Sequence, residues 1–399
     1  MGDVDFTRVV VHLVSGELAR LRRTGTLTGP LAEMTPATEL GESALGIDSL
    51  ELLHLASAVN EQFHLHETAV GDYLLRHRTI GDWAEVVRAS WAVAHDRITF
   101  RTSGTTGSPK PCTHRCTDLW EEVAGHAAYF GPVRRIVSFV PSHHIYGFLF
   151  TAIMPAMLGV SVVDGRQWSA AKFHRDLGAG DLLVAMPSYW DYLSRSLQSF
   201  GADVQGVTST APCPPTLFAR LQEQRVALTE IYGSSETAGV ARRSQSDGAF
   251  TLLPGWRREG ETVRRVSREP SMDETTSGSA LPDRLIWTGE REFRLGGRVD
   301  GAVQVGGMNV FPEQIAARIA EHPAVNACAV RLMQPHEGDR LKAYVVWRDA
   351  TTETRSRPEL ETWVRTELTP AERPMTITSG MALPRNELGK LRNWDVCPR

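Results

Sequence analysis

The sequence predicts a multidomain chain: an N-terminal small helical bundle, a central α/β domain with a mostly parallel sheet, and a C-terminal small α+β domain. Three observations carry this prediction. Apolar residues recur at helical spacing through residues 1–92, short apolar runs alternate with helical stretches through 95–299, and a compact mixture of strands and helices occupies 301–399. A length of 399 residues allows two or three domains, and a hydrophobic fraction of 42% supplies more than one core, which excludes wholesale disorder.

In the first block, Phe6, Val9, Val10, Leu13 and Leu18 form one apolar face, and Leu52, Leu55, Ala56, Val59 and Phe63 form another after Ser49. Tyr73–Leu75 and Ile80–Val87 suggest short further helices, which together make a bundle compact enough to be a separate module. In the second block the strand candidates are Ile98–Arg101, Ile136–Val140, Val160–Val163, Leu182–Ala185, Gly206–Ser209 and Leu228–Tyr232, with helical patterns between several of them. The polar stretch Arg257–Asp283 reads as a loop or loosely paired strands. The third block reads as helix Pro312–Glu321, strands Ala324–Met333 and Leu341–Trp347, and helix Pro358–Leu368.

Forty-three Lys+Arg against 47 Asp+Glu give a net charge of −4 and a pI near 6.4, which excludes a protein that coats nucleic acid. Five cysteines over this length do not make a disulfide framework. Cys112 and Cys116 flank His114, but no second ligand pair follows, so ordinary thiols are expected rather than zinc. The acidic start shows no signal peptide, and a reducing, cytoplasmic location is expected. Nineteen uncharged residues, Ile145–Val163, raise a membrane span. Gly147, Pro155 and Gly159 divide that segment into a helix around Tyr146–Leu158 and a short strand, so it reads as buried core without a span.

Four segments carry chemistry. Ile98-Thr-Phe-Arg-Thr-Ser103-Gly104-Thr105-Thr106-Gly107-Ser108-Pro109-Lys110 runs from a strand into a Ser/Thr/Gly loop and a lysine. Exposed backbone N–H groups, hydroxyls and a cation can wrap polyphosphate, and a flexible polar turn has the same composition. The spacing is not that of a Walker A loop. Ile231-Tyr232-Gly233-Ser234-Ser235-Glu236-Thr237-Ala238-Gly239 follows an apolar strand, where a ring can stack on a base and a carboxylate can hold Mg²⁺, though strand-end Tyr-Gly also makes an ordinary turn. Leu295-Gly-Gly-Arg298-Val-Asp300 leads into Gln304-Val-Gly306-Gly307, and Leu383-Pro384-Arg385-Asn-Glu-Leu-Gly389-Lys390 lies near the end.

In this order the four segments resemble the adenylate-forming superfamily of acyl- and aryl-CoA ligases, peptide-synthetase adenylation domains and beetle luciferases, over roughly residues 98–395. The resemblance implies activation of a carboxylate by ATP with Mg²⁺. By motif, it implies that Ser103, Thr105 and Lys110 lie in the phosphate loop. Tyr232 would stack on adenine, with Ser209, Ala211 and Pro212 along its other side. Ser235 would contact the α-phosphate and Glu236 would bind the metal. Arg298 would lie near the ribose, Asp300 would be the hinge of a mobile small domain, and Lys390 would stabilise charge between carboxylate and α-phosphate. Ser142-His143-His144-Ile-Tyr146-Gly147 resembles the family's pocket segment, so His144, Tyr146 and Gly233 would border the acid. For the ribose hydroxyls, Thr288-Gly289-Glu290 matches the family's Thr-Gly-Asp loosely, but Asp283 has the better spacing to Arg298 and is assigned. The lysine that serves the thioester step in some relatives is Gln304 here. The long front subdomain that usually precedes the phosphate loop is absent.

In its place, Leu45-Gly46-Ile47-Asp48-Ser49-Leu50-Glu51-Leu52-Leu53 resembles acyl carrier proteins, whose serine bears phosphopantetheine. That resemblance implies attachment at Ser49 by a phosphopantetheinyl transferase. Asp and Ser are also favoured helix caps. The expected function is therefore ATP-dependent adenylation of a small, aromatic carboxylic acid of the hydroxybenzoate or cinnamate type. The acyl group would then pass to a phosphopantetheine thiol, on Ser49 or on a separate carrier protein. The alternatives are an aryl-CoA ligase using coenzyme A with a purely structural N-terminal module, and a catalytically inactive nucleotide-binding protein.

Overall fold

The structure is a computed structural model that describes residues 3–22, 34–101, 110–200, 203–266, 281–299, 301–334, 337–385 and 391–395. They divide into two compact units. The first comprises the described parts of Met1–Gly104, Pro109–Leu281 and Leu285–Leu295, and the second those of Pro282–Arg284 and Gly296–Arg399.

The first unit begins with helices Phe6–Leu21, Ser49–Phe63 and Ile80–Val93. Each starts on a side-chain cap: Asp5 accepts from Arg8 N (3.1 Å), Asp48 from Glu51 N (2.8 Å) and Thr79 from Asp82 N (3.1 Å). The apolar stripes read from the sequence are buried, but not in a bundle that stands apart. Phe63 packs edge to face on both Phe6 and Trp91, whose rings are tilted against each other at 5.4 Å; Trp91 continues onto Phe148 (6.5 Å), and Phe148 onto Phe100 (5.5 Å). One core thus runs from Val4 through Val87 into Ile136, Val184, Val207 and Ile231. Polar ties cross the same junction: Arg8 Nη2 donates to Val162 O (2.9 Å), Ser142 N to His12 Nδ1 (2.9 Å) and Gln62 Nε2 to His143 O (3.2 Å). The expectation of a separable carrier-like module therefore gives way to a helical N-terminus that closes one face of the α/β core.

Within the main sheet, strand Arg135–Ser138 pairs in parallel with Ser161–Asp164 on one side and Asp181–Val184 on the other. Val204–Thr208 and Val226–Ser234 follow, also parallel. Ala238–Arg243, Phe250–Leu252, Glu292–Arg298 and Asp283–Trp287 extend it, antiparallel at the first three pairings, to nine strands among the described residues. The six strands expected from the sequence are present with shifts of one or two residues at their ends. Five of them are in this sheet. The sixth, Arg97–Arg101, pairs with Pro111–Arg115 in a separate hairpin. The segment read as loop or loose strands contains the hairpin Trp256–Glu259/Thr262–Arg265.

The uncharged run 145–163 is helical to Leu158, where Gly159 stops it at φ +66°, and strand Ser161–Asp164 follows. Its middle, Leu149–Ile153, is a π turn in which Met154 N bonds Leu149 O; Pro155, next in line, has no N–H to continue the ordinary register. Among the described residues no helix is long and apolar enough to cross a membrane.

The second unit has its own core of Val305, Ile315, Ile319, Leu341, Val345, Leu360 and Val364. Hairpin Val303–Val305/Met308–Val310 and helix Pro312–Ala320 precede a three-stranded sheet of Val325–Leu332, Leu341–Trp347 and Thr376–Ser379. Helix Glu353–Glu367 starts a turn earlier than expected. Pro358 lies inside it rather than at its head, leaving the Thr354 carbonyl without a helical donor.

Candidate active site

Parallel α/β sheets offer ligand sites at the carboxyl ends of their strands, where loops leave the sheet and backbone groups are unpaired. The candidate segments of the first unit lie at such ends. Pro141–Tyr146 follows strand Arg135–Ser138, Ser209–Pro212 follows Val204–Thr208, and Gly233–Glu236 closes Val226–Ser234.

The last of these loops is the most constrained. A Cβ on Gly233 would stand 2.0 Å from Ala238 O, so only glycine allows the two arms to approach. Thr237 Oγ1 accepts from Ser234 N (3.1 Å), and Ala238 turns the chain at φ +58° into the next strand. His114, on strand Pro111–Arg115, donates Nε2–H to Ser235 O (2.7 Å). Burial depresses the His114 pKa, and the carbonyl acceptor selects the tautomer that carries the proton on Nε2. From behind, buried Glu122 accepts from Gly239 N (2.9 Å), and Arg265 reaches Asp118 O (2.5 Å) and Thr237 O (3.4 Å). Ser235 is half-buried and Glu236 exposed. Burial and the Glu236 charge together push the Cys112 thiol up to about 11. Lys110, exposed at the head of the same strand, pulls the other way, so Glu236 and Lys110 share one electrostatic neighbourhood.

Tyr232 is buried, its ring 5.7 Å from both Phe250 and Phe293. Ser209 Oγ donates to Ile231 O (2.9 Å), tying the two strand ends together, and Ala211 and Pro212 follow at half-buried and exposed positions. Thr210 between them takes φ +78°. Tyr146 is buried, and its hydroxyl donates to Val207 O (2.8 Å) and Ala185 O (3.3 Å), capping two strand ends. His144 is exposed, and desolvation by its surroundings lowers its pKa. Its ring lies 4.1 Å from that of His143, which is depressed more strongly by burial.

Asp283 and Arg298 begin and end adjacent strands, and Val299 N bonds Pro282 O (2.9 Å) beside them. Glu290 is at the opposite turn of this hairpin, beyond the far end of strand Asp283–Trp287, whose four steps span about 13 Å at 3.3 Å per residue. The structure therefore brings Asp283, not Glu290, beside Arg298. In the second unit, Arg385 and Leu391 form an antiparallel bridge, and Arg331 Nη2 donates to Leu391 O (2.7 Å). Buried Lys342 anchors Trp394 through its carbonyl (2.6 Å). The C-terminal motif thus has a pinned base. Ser103, Thr105, Asp300 and Lys390 lie outside the described residues.

Ser49 is exposed at the first position of its helix. Asp48 and Glu51 form a capping box around it, and Arg22 holds Glu51 through Nε (2.8 Å) and Nη2 (2.7 Å). This account explains Asp48-Ser49-Leu50-Glu51 without a modification. Cys112 and Cys116 are buried free thiols. The sequence did not single out His114, Glu122 or Arg265 as supports of the loop. The only signal for His114 was its inward register in the alternating strand Pro111–Arg115.

Comparison with known proteins supplies the family. The AMP-binding enzyme profile matches residues 69–264, and that of the AMP-binding enzyme C-terminal domain matches 314–390. A 4-coumarate–CoA ligase of Halorhodospira halophila is 37% identical over 388 residues, 96% of this chain and 97% of that protein. One from Rhodobacter capsulatus is 35% identical over 97% of this chain and 99% of its own length. Among solved structures, an amide bond synthetase from Marinactinospora thermotolerans shares the fold at a TM-score of 0.57 and 23% identity, over 73% of this chain and 67% of that one. Matched nearly end to end by relatives above one-third identity, the chain belongs to the AMP-binding enzyme family.

Proposed function

We propose that the protein is an AMP-forming acid–thiol ligase that activates an aromatic carboxylic acid of the 4-coumarate type and transfers it to coenzyme A. The observation that carries this reading is the end-to-end match with proteins named 4-coumarate–CoA ligase. It favours coenzyme A as acceptor over a carrier arm on Ser49, whose sequence context the capping box accounts for.

In this reading a carboxylate oxygen attacks the α-phosphorus of ATP and pyrophosphate leaves. The coenzyme A thiolate then attacks the acyl carbon and AMP leaves. The Gly233–Glu236 loop, held by His114, presents Ser235 to the α-phosphate and Glu236 to Mg²⁺, which supplies charge neutralisation on the phosphates. Tyr232 and Ser209–Pro212 take the adenine, Asp283 and Arg298 the ribose side, and Ser103, Thr105 and Lys110 the leaving phosphates. His144, Tyr146 and Gly233 border the acid. Asp300 serves as hinge, and Lys390 stabilises the charge that develops during adenylation.

The test is incubation with ATP, Mg²⁺ and a panel of aryl acids, with and without coenzyme A. Pyrophosphate exchange should depend on the acid, and an acyl-CoA thioester should form when coenzyme A is added. Failure to exchange with any acid would sink the adenylation step. Exchange without a thioester, restored by treatment with a phosphopantetheinyl transferase, would move the acceptor back to Ser49.

A further inference from the structure

We propose that His64, His66 and Glu67, none of them assigned to the nucleotide or the acid, bind a divalent transition-metal ion of the zinc type. His64 ends helix Ser49–Phe63 in the left-handed conformation (φ +53°), and the chain turns at once into the 3₁₀ turn Leu65–Thr68. Asn60 Oδ1 accepts from His66 N (2.9 Å) and fixes that turn. As a result three donor atoms converge: His64 Nδ1 lies 3.3 Å and His66 Nε2 3.8 Å from Glu67 Oε1, and all three fall within 4.8 Å of one another. A tetrahedral ion with bonds of 2.0–2.1 Å needs ligand atoms about 3.3 Å apart. One pair already has that separation, and the exposed His66 ring can close the rest by side-chain rotation.

The surroundings fit the role. Hydrogen bonding between His64 Nε2 and Thr99 Oγ1 (2.9 Å), itself bonded to Thr113 Oγ1 (2.7 Å), leaves Nδ1 for a metal. Two imidazoles and one carboxylate favour zinc, cobalt or nickel over Mg²⁺, and the exposure of His66 and Glu67 leaves a fourth position for water. Arg97 Nη2 shares Glu67 Oε1 at 2.6 Å and is the competing cation. The ion would clip the end of the helix to hairpin Arg97–Arg101/Pro111–Arg115 through Thr99 and Thr113.

The test uses the full, tag-free chain stripped with chelator and titrated with ZnCl₂ by calorimetry. Expected are one ion per chain and a rise in Tm with Zn²⁺ but not with Mg²⁺. His66→Ala and Glu67→Gln should each weaken binding at least about tenfold, and Arg97→Ala should tighten it. Cobalt loading offers a readout independent of the variants, with visible bands of a nitrogen–oxygen tetrahedral site. No uptake at submillimolar Zn²⁺, binding unchanged in both ligand variants, or a thiolate-to-cobalt charge-transfer band would overturn the proposal.

Discussion

His12 shows how much one side chain can hold. Its Nδ1 accepts from Ser142 N, and Arg166 Nη2 approaches Nε2 at 3.1 Å. Burial first, and the Arg166 charge second, lower its pKa from 6.5 to about 4. A folded pKa below the unfolded one gives stability that is present above pH 6.5 and lost as pH falls towards 4, here about 3 kcal/mol at most. Urea unfolding between pH 7 and 4.5 should show that loss, and His12→Gln should reduce the slope. At the candidate loop, Gly233→Ala should cost about 1–3 kcal/mol and abolish pyrophosphate exchange. His114→Ala, which removes the bond to Ser235 O, should cost about 1–3 kcal/mol and slow exchange while the fold persists by circular dichroism. The sequence displayed the exposed chemistry of this loop, because Tyr232, Ser235 and Glu236 carry it in one continuous run. It hid the supports, because His114 and Glu122 come from elements more than a hundred residues earlier and resemble ordinary core polar residues.

At the scale of elements, caps and breakers were legible because they act locally. The Asp48 cap, the Gly159 stop and the short apolar strands lie within a residue or two of where the sequence puts them. The same locality made Asp48-Ser49-Leu50 ambiguous, since a helix cap and a carrier's modification site use the same residue types. The structure assigns the aspartate a capping bond, so Asp48→Ala should cost about 1 kcal/mol. Ser49→Ala should change neither stability by more than about 0.5 kcal/mol nor the rate of thioester formation with coenzyme A, as read by thermal unfolding and a thiol-consumption assay. The π turn at Leu149–Ile153 was not legible. The sequence shows Pro155, but not the hydrogen bond that shifts register ahead of it, nor the close approach at Gly147, where a Cβ would meet Pro141 O at 1.9 Å.

For the molecule as a whole, an apolar stripe on a helix says that it is buried but not against what. The N-terminal helices read as a bundle, and only tertiary structure shows that Phe6, Phe63 and Trp91 share a core with Phe100 and Phe148. The shortness of the chain next to the superfamily's longer members is shared by the relatives it matches over 97% and 99% of their lengths. Phe63→Ala should destabilise the whole first unit by about 3–5 kcal/mol, seen as a lowered midpoint for the helices and the sheet together.

The arrangement also sets an order of events during synthesis. Arg8 finds its acceptor at Val162, 154 residues later, so the first helices emerge from the ribosome long before the strands that cover them. Until then the part of their apolar surface that meets the α/β core, Trp91 against Phe148 for example, faces water, a state in which nascent chains recruit chaperones and are open to proteolysis. A chain stalled at about residue 95 should be digested quickly, and one stalled beyond residue 240 should resist, with the amino-terminal helices gaining protection last-in-partner rather than first-in-sequence.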